Sequence, residues 1–71
     1  MPCINADGTL TSTARRVLAA VAQPLTVEGI REVTGQPLFH IRLSLREMEA
    51  AGLVTGADGC YTITPAGRER L

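Results

Sequence analysis

At 71 residues, 45% of them apolar, the chain has room for one hydrophobic core and is too aliphatic, at too small a net charge, to remain disordered. Seven arginines and no lysine balance seven carboxylates to a formal charge of zero, which excludes a globally basic, charge-driven nucleic-acid binder and leaves only local positive faces. One Phe, one Tyr and no Trp exclude an aromatic stacking platform for single strands and leave aliphatic packing to supply the stability.

Cys3 and Cys60 are too few and too far apart for a metal knuckle or a disulfide framework, and read as reduced thiols of a cytoplasmic protein. No stretch approaches the roughly 18 to 20 apolar residues of a membrane span, and no charged segment precedes an apolar run as in a secretion signal. Neither a membrane partner nor secretion is expected.

Residues 1–9 carry Pro2, Asn5, Asp7 and Gly8 without helical periodicity and read as an N-terminal arm to a single domain over 10–71. Leu10, Ala14, Val17, Leu18 and Val21 mark one face of a first helix, capped by Thr11 or Ser12 and stopped by Pro24. Thr26 then caps a short second helix with Glu28 in its first turn, and Leu25 and Ile30 have the spacing of a hydrophobic staple. Val27, Ile30 and Val33 form its expected buried stripe, Thr34 and Gly35 close it, and Gly29 is expected to pack against a neighbouring helix.

Pro37 suits the first position of a third helix over 37–51, which leaves only the short connection of a helix-turn-helix. Leu38, Ile41, Leu45 and Met48 form its inward stripe, and Phe39, Arg42, Leu43 and Arg46 fall on the other side. Gly52 is placed for a Schellman stop, with Leu53 folding back on Met48. Leu53, Val54 and Thr55, then Cys60, Tyr61, Thr62, Ile63 and Thr64, are rich in β-branched residues around turn chemistry at 56–59, so a β-hairpin over 53–64 is expected. Strand alternation turns Tyr61 and Ile63 inward and Cys60, Thr62 and Thr64 outward, and Thr64 with Pro65 starts a last helical turn. The sum is a mostly helical α+β domain, a three-helix core followed by a hairpin wing.

From Leu25 to Leu71, about two-thirds of the chain, the sequence resembles the winged helix-turn-helix core of bacterial transcriptional regulators of the MarR, ArsR and PadR type. The carrying residues are Val33, Thr34 and Gly35 at the turn, the run LREMEAAGLV from Leu45 into the hairpin, and YTITPAGRERL from Tyr61. The resemblance implies double-stranded DNA as partner, with the third helix in the major groove and the hairpin tip at the backbone or minor groove. Carried over by position, the candidate DNA contacts are Gln36, Leu38, Phe39, His40, Arg42, Leu43 and Arg46, with Ala57, Asp58 and Gly59 in the wing. Three departures stand out. Asp58 occupies a wing tip that usually carries Lys or Arg, and Gln36 with Pro37 replaces the usual Ser or Thr. The extra helices through which larger members dimerise are also missing, so a homodimer would use the first helix, the arm or the C-terminal tail.

Each candidate also has a plainer reading. Arg42 and Arg46, one turn apart, can read guanine or hold phosphates, or they can pair with Glu47 and Glu49 on a solvated surface. His40 is a donor or an ordinary surface residue, and Phe39 with Leu43 touches thymine methyl groups or offers an apolar patch to a protein. Arg15 and Arg16 reach the DNA backbone or stay solvated, and Cys60 reads as an inert strand residue with no adjacent cation. One His, two Ser and scattered acids form no nucleophile–base constellation, phosphate loop or ligand set, so no enzyme activity, cofactor or metal is expected. The alternative to a DNA-binding regulator is a winged-helix protein-interaction module or accessory factor.

Overall fold

The computed structural model describes Ile4, Asn5 and residues 7–71, so the readings of Cys3 and of the first residues of the arm fall outside it. Helix α1 (Ser12–Ala20) begins where the Thr11 side chain accepts from the Ala14 N–H at 3.1 Å, and it buries Ala14, Val17 and Leu18. Leu10 and Val21, at either end, join the same core. Ahead of α1, Ile4 bridges Leu10 and packs on the core, and the Asp7 carboxylate accepts from the Thr9 hydroxyl and N–H at 2.7 and 3.0 Å. Those bonds, the hydroxyl's first, hold the Asp7 carboxyl below its usual range.

Helix α2 (Val27–Thr34) starts at Thr26, whose hydroxyl accepts from the Gly29 N–H at 3.0 Å, and ends where the Gly35 N–H donates to the Arg31 carbonyl at 2.7 Å. Of the expected stripe only Ile30 is fully buried; Val27 is half-buried and Val33 is 66% exposed. The reason is geometric, since steps of three residues rotate back by about 60° each, so three such positions span about 120° and only the middle one faces the core squarely. Gly29 does pack closely, but against its own cap. A Cβ there would meet Leu25 Cδ2 at 3.3 Å and Thr26 Oγ1 at 3.4 Å, not a neighbouring helix.

Helix α3 (Leu38–Ala50) starts one residue later than expected, with Pro37 as N-cap. Pro37 has an extended ψ of 146°, which is incompatible with the first helical turn, yet its carbonyl already accepts from the His40 and Ile41 N–H groups at 3.1 Å. Ile41, Ser44, Leu45 and Met48 are buried, while Leu38 at the start is half-buried. The stop is a Schellman motif. Gly52, at φ 77°, donates to Glu49, and the Leu53 N–H donates to the Met48 carbonyl at 2.8 Å.

Strands β1 (Val54–Ala57) and β2 (Cys60–Ile63) pair antiparallel from Val54 opposite Ile63 to Ala57 opposite Cys60. The loop is therefore two residues, Asp58 and Gly59, shorter than the expected 56–59. Both have positive φ, 53° and 81°, as a type I′ hairpin turn requires. Gly56 lies inside β1 because its cross-strand partner Tyr61 lays its ring over it, where a Cβ would approach Tyr61 Cε1 at 2.9 Å. Ile63 is buried and Tyr61 half-buried, as alternation predicts, but Cys60, Thr62 and Thr64 are half-covered and not open. Leu25, before α2, bridges Tyr61 through two backbone hydrogen bonds of 3.1 and 2.8 Å and lies beside β2 as an isolated bridge.

A final turn, α4 (Pro65–Arg68), is capped by Thr64, whose hydroxyl also donates to the Gly52 carbonyl at 2.6 Å. Gly67 is buried so closely that a Cβ would overlap the Leu53 carbonyl oxygen and stand 2.7 Å from Ile63 Cγ1. The architecture is a winged helix-turn-helix, three helices followed by a two-stranded hairpin and a short helix.

Candidate nucleic-acid interface

The outward side of α3 is held in place from behind. Ile41, Leu45 and Met48 are sunk into a core shared with α1, α2 and the hairpin base, so the residues between them project from a fixed rod. Phe39, Arg42, Leu43 and Arg46 line one shallow, open depression of about 250 Å³. Phe39 is 67% exposed, and its ring meets that of His40 edge-on at a centroid distance of 4.2 Å. Leu43 and His40 are half-buried; Arg42 and Arg46 are exposed. Among the described residues neither guanidinium has a hydrogen-bond or ion-pair partner, so the pairing with Glu47 or Glu49 that would neutralise them is not formed. The arrangement presents two free bidentate donors, one helical turn apart, flanking apolar surface.

Gln36 is placed differently from its neighbours in the expected set. Its side chain turns back against α1, donating from Nε2 to the Thr13 carbonyl at 3.4 Å, and Oε1 is buried with no hydrogen-bond partner. Its own N–H donates to the Thr34 hydroxyl at 3.3 Å, which holds the backbone of the turn. Leu38 is half-buried, consistent with the inward stripe more than with an open contact surface.

Away from these residues, Ala57, Asp58 and Gly59 are exposed at the hairpin tip. They line a second open depression of about 200 Å³ with Gly56, Cys60, Tyr61 and Glu49. By its spacing Glu49 is a partner for the α3 arginines, but the fold instead brings its carboxylate beside Gly56 of the hairpin. The tip thus carries two carboxylates, Asp58 and Glu49, and the depression shares no lining residue with the arginine groove. Arg16 is placed elsewhere again, with Ala19, Ala20, Val33 and Thr34 around a depression between α1 and α2. Among the described residues no cluster of three or more His, Cys, Asp or Glu is placed to hold a metal, and no helix is long and apolar enough to cross a membrane.

No protein-family model and no curated protein matches the chain. Among solved structures it is similar to BpsR of Bordetella bronchiseptica, described for the regulation of its DNA binding by 6-hydroxynicotinic acid, with a TM-score of 0.83 and 22% identity. The match covers 90% of this chain and 51% of that one, so the chain spans about half the length of that protein. At this level of identity the likeness is one of fold.

Proposed function

We propose that this chain is the duplex-DNA-binding domain of a transcriptional regulator, formed by residues 10–71, with α3 entering the major groove. The observation that carries the reading is the pair Arg42 and Arg46, exposed, unpaired and adjacent on the outward side of the helix that follows the turn. A guanidinium with no internal carboxylate keeps its full charge and both donor edges for a phosphate or a guanine. The likeness to BpsR, whose DNA binding is under ligand control, supports the same role.

In this reading Arg42 and Arg46 provide phosphate anchoring and base readout, Phe39 and Leu43 meet thymine methyl groups, and His40 donates near the start of the helix. The wing contributes by its backbone, since Asp58 and Glu49 at the tip repel phosphates. With no net charge a single copy binds modestly, and two copies on a two-fold site bind more tightly.

Fluorescence anisotropy of a labelled mixed-sequence duplex tests this. Binding should weaken with salt along a log–log slope that grows by about 0.9 per phosphate neutralised. A duplex that leaves the resonances of Arg42 and Arg46 unmoved at low salt would make the α3 surface, with Phe39 at its centre, a protein-docking site instead.

A further inference from the structure

We infer that Gln36 is a specificity residue held folded away in the free protein and released to an adenine edge when duplex is bound; this rests on the duplex-binding reading above. Gln36 stands immediately before the N-cap of α3, the end of a recognition helix from which base edges are read. Its carboxamide has one acceptor oxygen and one donor nitrogen, and the folded pose serves them unequally. Nε2 makes a long 3.4 Å bond to the Thr13 carbonyl, while Oε1 is removed from water and receives no donor. The opposite rotamer of the amide gives no relief, because it would turn Oε1 toward the carbonyl of Thr13, an acceptor facing an acceptor.

A buried acceptor without a donor is costly, so the inward pose is only weakly held, and a partner that matches both ends of the amide competes with it. What the side chain lacks identifies what it would take. A phosphate offers acceptors only and would leave Oε1 as it is. Adenine in the major groove offers the N6 donor beside the N7 acceptor, and a glutamine amide matches the two at once. The residue is thus poised to leave α1 in exchange for one particular base, not for the backbone that all sequences share.

The test uses the whole chain, a pool of duplexes with randomised central base pairs, and the variants Gln36→Met, which keeps the length but removes both polar atoms, and Arg42→Ala. The wild-type protein should enrich adenine at one position by about tenfold, as one good bidentate pair discriminates. Gln36→Met should lose that preference alone, keep the others, and melt no lower than wild type, since the unpaired carbonyl is gone. In the wild-type protein the side-chain amide resonances of Gln36 should shift when the enriched duplex is added. Identical selections by Gln36→Met and wild type, a uniform loss at every position, or an unmoved Gln36 amide beside moving Arg42 and Arg46 resonances would each overturn this inference and leave the duplex reading standing. If wild type binds no duplex and Arg42→Ala changes nothing, the duplex reading itself falls and this inference with it.

Discussion

Helices α2 and α3 are joined by three residues, yet they are used in opposite ways. Helix α3 buries four side chains, Ile41, Ser44, Leu45 and Met48, whereas α2 buries only Ile30 and leans on its caps and on the Leu25 staple. Their outward faces differ as sharply. That of α2 carries Glu28 and Glu32 beside Arg31, with Val33 bare, while that of α3 carries Arg42 and Arg46 with no carboxylate until Glu47. The helix anchored most firmly is the one that displays unpaired positive charge, and a rigid support is what a recognition surface needs to hold its donors in register.

The comparison can be broken first on its buried side. Met48→Ala should cost about 2 to 5 kcal/mol of stability by chemical denaturation, the range for emptying a filled core position. Val33→Ala on α2 should cost almost nothing, because Val33 is 66% exposed. Equal losses at the two sites would show that α2 is packed more tightly than its burial indicates. On the outward side, Arg42→Ala should weaken duplex binding by about 1 to 3 kcal/mol without lowering the melting temperature. It should also reduce the steepness of the salt dependence by about one phosphate contact if the guanidinium holds the backbone, or leave it nearly unchanged if it reads a base. The smallest effect belongs to α2, where Glu32→Gln should tighten duplex binding by a few tenths of a kcal/mol at most, an effect that vanishes at high salt, as for any exposed charge. Tightening as large as the loss at Arg42 would mean that α2, and not α3, lies nearest the phosphates.

Much of the path of the chain was legible because its signals are local. Thr11, Thr26 and Thr64 each cap the helix that follows, Gly52 ends α3, and the hairpin follows where β-branched residues cluster. The start of α3 lies one residue beyond the expected one because Pro37 has the fixed φ of a first helical residue, while its extended ψ of 146° makes it the cap. Gly56 has the chemistry of a turn and suggests a four-residue loop, yet its backbone pairs with Tyr61 inside the hairpin, where the Tyr61 ring leaves no room for a side chain. Within the candidate site, the outward placement of Phe39, Arg42 and Arg46 followed from helical periodicity. The inward fold of Gln36 did not, since a residue outside the helix has no period to place it.

Order of elements, the threonine caps at Thr11, Thr26 and Thr64, the Schellman stop and the place of the hairpin follow from the sequence alone, because each depends on residues within a few positions of one another. Three things needed the assembled fold: the close approach that makes Gly67 necessary against Leu53, the carboxylate of Glu49 at the wing tip, and the burial of the Gln36 oxygen against α1. Each joins segments remote in sequence, and contacts of that kind are set by how the helices and hairpin share a single small core, which no local pattern encodes.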